Sequence, residues 1–355
     1  MAYTTTTTIS APVNVVFQNK MLAKAKPYCP YFVGSKGGDM LASKSGSYTV
    51  KWRRYENITP TTTALTELTG TASFPTRTGS SPSITDVTAA VSKYGDFFIF
   101  NEDVDLLNVE NLDLEFADVL GIQAGRSLNY LQRNVLEDGL TLVYEGAGST
   151  DGSVSGVISA GTIANALNTL QNNSAMTFAP MTTGSTNIGT GPVLPSFWMI
   201  CHANVGYDVS RLSGFKSVET YAGQVETMPN ELGYLSGAGV GLRVVWTEEA
   251  SIDSGLGAAA SGVRTTTGNA DLYTAVIFGQ QCHGALSLDR DMVKEIYQSG
   301  DRLPAIILLT HPRGSAGAAD PYSEVATVAW KSWHAGKVLN SNWGRGIRCA
   351  ASALA

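Results

Sequence analysis

Apolar and polar positions alternate in three places along the chain and recur at helical spacing in one long stretch. In residues 46–57, Tyr48, Val50 and Trp52 share one side of a two-residue period. Thr49, Lys51 and Arg53 share the other, which predicts a strand with one buried face. Residues 86–100 predict a returning strand, bent or bulged near Gly95. Between them, residues 59–83 are almost all Thr, Ser, Gly and Pro. Structureless loops longer than about 12–15 residues are uncommon inside a compact domain. This hairpin is therefore expected to rest on another molecule.

Residues 108–138 predict the longest helix, with Leu112, Phe116, Leu120, Ala124, Leu128, Leu131 and Val135 in one stripe. Glu110, Asp113 and Glu115 crowd its start and Arg126 and Arg133 lie later, as the helix dipole favours. Gly121 and Gly125 predict a bend or a close backbone contact. Shorter helices are expected over 162–172 and over 204–213, the second capped near Asn204. Continuous apolar runs at 197–201, 240–246, 273–278 and 305–309 predict buried strands. Loops rich in Gly, Thr, Ala and Ser fill 181–195 and 251–269. Alternation returns at 325–333, followed by short strands at 337–340 and 346–349. The first 44 residues hold no period and predict an extended arm. The class is α+β, a long helix with a mixed sheet.

Composition narrows the function. Of 355 residues 43% are apolar, enough for a large core, and no apolar run approaches the roughly 18 residues of a membrane span. The start lacks a basic stretch followed by an apolar core, so a cytoplasmic product is expected. Cys29, Cys201, Cys282 and Cys349 lie far apart, which suits reduced, buried thiols better than a metal site or a disulfide framework. The net charge is −6, unlike the basic face of a protein that grips nucleic acid. Only 15% of residues are charged and 37 are glycine. So little charge suits a surface covered by other subunits, because interface centres are depleted in it.

Candidate chemistry is sparse. The patterns G-x-x-x-x-G-K-[ST] and G-x-S-x-G are absent. Gly237-Ala-Gly-Val-Gly241 lacks the last glycine of a dinucleotide fingerprint and reads as a tight turn before a strand. His202, His283, His311 and His334 share no ligand spacing and fall at strand ends, as structural histidines do. Glu248 and Glu249 are adjacent on an expected strand, pointing to opposite faces of a solvated strand end. No catalytic, cofactor-binding or metal-binding residue is expected. Lys51-Trp-Arg-Arg-Tyr55 is the one dense basic and aromatic cluster. It has a nucleic-acid reading and a solvated-face reading. The favoured reading is a subunit interface, in which Arg53 and Arg54 pair with acids of a neighbour while Trp52 and Tyr55 anchor in its surface.

Taken in order, several segments resemble the N4-like family of tailed-bacteriophage major capsid proteins, built on the HK97-type fold. They are Val50-Lys-Trp-Arg-Arg-Tyr-Glu56, Leu65-Thr-Glu67 and Val91-Ser-Lys-Tyr-Gly-Asp96. Near the end come His311-Pro312, Asp320-Pro321, Val328-Ala-Trp-Lys331 and Val338-Leu-Asn340. One departure is Leu68, which stands before Gly70 where a glycine would directly follow the loop glutamate. The resemblance implies an N-terminal arm (1–45), an extended loop (46–100), a peripheral domain with a spine helix (101–145), an axial domain (146–310) and C-terminal strands of the peripheral domain (311–355). It adds Glu67 to Trp52, Arg53, Arg54 and Tyr55 as interface candidates. It implies no enzymatic activity but self-assembly, through hexamers and pentamers, into an icosahedral shell around packaged double-stranded DNA. Copies of the chain are then the main partners, with decoration, scaffolding and portal proteins as further candidates. DNA would be touched weakly and without sequence specificity, and the product would reside in a virion assembled in the host cytoplasm. Two competing readings are an encapsulin-like cellular shell and a monomeric β-rich binding or hydrolytic protein.

Overall fold

The computed structural model describes residues 30–32, 34–38, 49–56, 58–62, 64, 81–107, 112–146, 148–178, 195–220, 230–237, 240–286, 306–314 and 320–354. The larger sheet runs in the order β5 (Thr141–Tyr144), β18 (Gly344–Cys349), β13 (Leu272–Phe278), β6 (Ser196–His202), β9 (Val240–Thr247), β8 (Glu231–Gly237), β7 (Phe215–Ser217), with β10 (Ile252–Asp253) alongside β13. Its central strands read as unbroken apolar runs because both faces are covered. Phe197, Met199, Val244, Ala275, Ile277 and Ile347 face α3 (Ala160–Asn172) and α4 (Ala203–Ser210) through Ile163, Leu167, Leu170, Val205 and Val209. On the other face Trp198, Ile200, Val245, Val276 and Phe278 meet Leu136, Leu140 and Tyr31.

Leu136 belongs to α2 (Leu112–Gly139), whose 28 residues span about 42 Å at 1.5 Å per residue. The earlier turns of α2 bury Ala117, Leu120, Ala124 and Leu128 against a second, antiparallel sheet of β15 (Ile306–His311), β16 (Val325–His334) and β4 (Ser92–Asn101). In β16 the inward Ala326, Val328, Trp330, Ser332 and His334 are buried and every second residue is only half-buried. One helix thus ties two sheets together. The expected stripe is present from Phe116 to Leu131, and α2 continues through Gly121 and Gly125, both buried.

Other expectations change as well. The returning segment breaks at Val91, between β3 (Ile84–Ala90) and β4, and not at Gly95. Gly95 lies within the β4–β16 ladder opposite Lys331, where a Cβ would sit 2.5 Å from the Trp330 carbonyl oxygen. The glycine permits close approach rather than a turn. The cap of α4 is His202, whose Nδ1 accepts the Asn204 backbone N–H, not Asn204. The C-terminal strands divide: β16 backs onto α2, whereas β18 enters the larger sheet between β13 and parallel β5. β4, expected in the extended loop, belongs with β16. Segment 251–269 is not wholly loop, since it holds β10 and β11 (Thr265–Thr266), which pairs with β12 (Asn269–Ala270). The arm before Pro30 and the loop at 181–194 lie outside the described residues.

Inside the larger sheet, Arg243 is buried against Glu231, with Nε–H and Nη2–H donating to the two carboxylate oxygens at 2.8 and 2.6 Å. Its guanidinium also lies over the Trp198 ring at 4.9 Å. Breaking such a pair strands a charge in a low-dielectric interior. Glu231→Ala is expected to destabilise the unassembled subunit by about 3–5 kcal/mol in urea unfolding. The volume-conserving pair Glu231→Leu with Arg243→Met is expected to cost far less.

Residues 30–32 are clamped between α2 and β14 (His283–Leu286). The Tyr31 N–H donates to Asn129 Oδ1 at 3.2 Å, and its carbonyl meets His283 Nε2 at 3.2 Å. His334 stacks edge-on to Phe32 at 5.7 Å between ring centres. Burial pushes both His283 and His334 down to about 4. The unfolded chain binds protons at these sites from about pH 6.5 downward while the native state does not. Stability is therefore expected to be flat above about pH 6.5 and to fall as the pH drops towards 4. Melting temperatures measured at steps between pH 7 and 4 check this, with the slope reduced in His283→Gln and His334→Gln.

Candidate assembly surface

The basic and aromatic cluster lies on β2 (Thr49–Tyr55), which pairs antiparallel with β3 so that Arg53 stands opposite Asp86 and Trp52 opposite Val87. A two-stranded ribbon is at best marginal alone in water. This one is held at its base, where Val50 and Trp52 are buried with Ala335 and Leu339 and packed by Val87, Ala89 and Leu286. The Trp52 indole lies close against β14: a Cβ on Gly284 would be within 3.0 Å of three indole atoms. Glycine there is what lets the ring seat.

The structure places the cations differently from the expectation. Arg53 donates to Asp86 from Nε at 3.0 Å, and Lys51 pairs with the same carboxylate. Those two cations hold the Asp86 carboxyl at about 2. Arg54 donates from Nε to Glu56 at 2.8 Å and from Nη1 to the Leu339 carbonyl at 2.8 Å, fastening the ribbon to a segment 285 positions away. The acids that Arg53 and Arg54 meet within the subunit are thus on their own hairpin, and Trp52, 5% exposed, anchors the ribbon to its own subunit. Tyr55 is different, with 65% of its surface open. Ile58 and Ile84, further from the base, are also exposed. Glu67 lies outside the described residues.

A second exposed apolar surface was not foreseen. β4 is an edge strand whose Phe98 and Phe100 pack towards α2 while Phe97 and Ile99 face out, and α1 (Glu102–Leu107) ends on Leu106 and Leu107, both largely exposed. All four residues of 97–100 are apolar, so nothing in the sequence separates the outward face of this strand from the inward one.

Elsewhere the polar groups are spent on structure. Glu249 is not solvated: it is buried, sits in a turn after β9, and accepts from Arg126 while its carbonyl accepts from Arg133, both on α2. Arg348 joins Asp151, Asp253 and Thr274 across the larger sheet. Burial pushes the Cys201 and Cys282 thiols up to about 12 and Cys349 higher than its ordinary value, which makes these three cysteines inert core residues. Among the described residues no cluster of His, Cys, Asp and Glu could hold a metal ion. Gly237 and Val240 pair at the end of the β8–β9 hairpin, and the two residues between them, where the turn was expected, lie outside the described residues.

Solved structures share this arrangement over nearly the whole chain. The capsid of Ralstonia phage GP4 aligns over 90% of this chain and 87% of that one, at 10% identity and a TM-score of 0.60. The acid-stable capsid of Helicobacter pylori bacteriophage KHP30 covers 91% of each at 11% identity and 0.54, and the cyanophage Pam1 capsid covers 94% and 93% at 11% and 0.53. The chain has the HK97-type capsid fold. No family model and no curated sequence matches the chain. The likeness is to the fold at large and does not single out the N4-like branch.

Trp52→Ala is expected to cost about 3–5 kcal/mol, as other buried aromatic truncations do. Limited proteolysis of the subunit should then cut within 46–90 at least tenfold faster. Tyr55→Ala should leave the cutting rate unchanged.

Proposed function

We propose that this chain is the major capsid protein of a tailed bacteriophage, a structural and non-enzymatic subunit that assembles through hexamers and pentamers into an icosahedral shell around double-stranded DNA. The observation that carries the reading is the β2–β3 ribbon, fastened to its own subunit at Trp52 and Arg54 and presenting Tyr55, Ile58 and Ile84 to solvent further out. An isolated subunit has no use for these apolar side chains, and a neighbouring copy supplies their partner. Specific interfaces bury about 1,200–2,000 Å². Several per subunit, repeated around a closed shell, make modest contacts collectively strong. In this reading 46–90 is the extended loop, β4, α2, β15 and β16 form the peripheral region, and the larger sheet is the axial region.

The net charge of −6 suits an inner surface that tolerates DNA without gripping it, since tight non-specific binding needs an excess of Lys and Arg. Scaffolding, decoration and portal proteins are the further partners this role implies, and the virion is its location. Among the described residues no helix is long and apolar enough to cross a membrane. Of the interface candidates, Tyr55 acts directly, Arg53 and Arg54 shape the ribbon beside it, Trp52 holds the ribbon in place, and Glu67 is proposed to contact the neighbour nearer the tip.

The variant Tyr55→Ser with Ile84→Ser is expected to retain the wild-type circular dichroism spectrum and to lower the yield of sedimentable particles at least tenfold. Wild-type yield would remove these side chains from the interface.

A further inference from the structure

A cleft of about 380 Å³ opens beneath the ribbon base, lined among others by Lys36, Trp52, Arg53, Tyr55, Met176 and Trp343. It combines an aromatic floor with a positive rim. Of the residues that line it Lys36, Arg53 and Arg54 are cationic and none is anionic; Asp86 pairs with Arg53 and Glu56 with Arg54, and Lys36 leaves the rim positive. A complementary element exists in the same sequence. α1 reads Glu-Asp-Val-Asp-Leu-Leu, with Asp103 exposed, Glu102 half-exposed, and Leu106 and Leu107 exposed at 71% and 86%. Two leucines this open on a helix of six residues are unsatisfied apolar surface beside a concentration of negative charge.

The element cannot reach the cleft of its own chain. α1 follows Asn101, which pairs with Val325 at the start of β16. The cleft lies beyond the other end, where Ser92 pairs with His334 and where Ala335 and Leu339 receive the ribbon. The ten residues of β16 put about 33 Å between the two ends. A contact between unlike patches on opposite ends of one molecule is heterologous, and such contacts close into rings when the rotation permits.

We propose that the cleft under the ribbon receives α1 of a second copy, with Leu106 and Leu107 on the aromatic floor and Glu102 and Asp103 against the Lys36 and Arg53 rim. This rests on the self-assembly reading and names a contact that performs it. Opposite charges at the rim would govern register and the rate of encounter, and the leucines would supply the apolar burial.

A charge swap tests the pairing. Glu102→Lys with Asp103→Lys, and separately Lys36→Glu with Arg53→Glu, are each expected to lower particle yield at least tenfold with the circular dichroism spectrum retained. The four changes combined in one chain should return the yield to within about threefold of wild type, because the pairing is restored with its signs reversed. A second measurement does not depend on those variants assembling. In a Cys29→Ser background, a Leu107→Cys chain mixed with a Met176→Cys chain should form a mixed disulfide between copies under mild oxidation. Absence of both rescue and mixed disulfide overturns the proposal. So does a Lys36→Glu, Arg53→Glu shell that forms normally but retains less DNA, which would make the occupant a nucleic-acid phosphate. Should the wild-type chain form no shell, the capsid reading fails, and the disulfide still decides the pairing.

Discussion

A ribbon of two strands has no second layer of its own, and among the described residues this one buries a face at its base. Trp52 and Val50 seat against the backbone of Gly284 and the side chains of Ala335 and Leu339, and Arg54 adds a hydrogen bond to the Leu339 carbonyl. Further out, the described apolar side chains Tyr55, Ile58 and Ile84 are open to solvent in the single subunit. The stability of the outer ribbon is therefore not set within one molecule, since each added residue brings conformational entropy that few internal contacts offset. An assembled neighbour changes that balance.

The rest of the fold supplies the rigidity that such a projection needs. α2 spans the seam between the helix-backed sheet and the larger sheet, and contributes Leu120 and Ala124 to one core and Leu136 to the other. Arg126 and Arg133 tie it to Glu249 at the end of β9. The larger sheet is covered on both faces and carries its charges as closed pairs, Glu231 with Arg243 and Asp151 and Asp253 with Arg348. Strain applied to the ribbon would pass through β14, β17 (Gly336–Val338) and the end of β16 into this frame rather than dissipating in a loop.

Much of this was legible because local period reports local burial. The alternation at Val50 and Trp52, the stripe from Leu120 to Leu128 and the apolar run at 197–201 each emerged as the element their spacing implied. What was illegible depended on partners far along the chain. Arg54 has an acidic partner two residues away, but its second partner lies at Leu339. Glu249 looked solvated because nothing nearby in sequence reveals that α2 brings two arginines to it. The division of the C-terminal strands between two sheets follows from β18 pairing in parallel with β5, a crossover that no short window contains. Among the candidate interface residues, spacing correctly gave Trp52 a different face from Arg53. It could not say that the face of Trp52 turns inward to the same subunit.

Hydrogen exchange of the ribbon amides in the free subunit and in the assembled particle tests the account most directly. Amides near Val50 and Trp52 should be protected in both forms, while those around Tyr55 and Ile84 should exchange quickly in the subunit and at least a hundredfold more slowly in the particle. Equal protection of the outer ribbon in both forms would mean that its own subunit already holds it, contradicting the account.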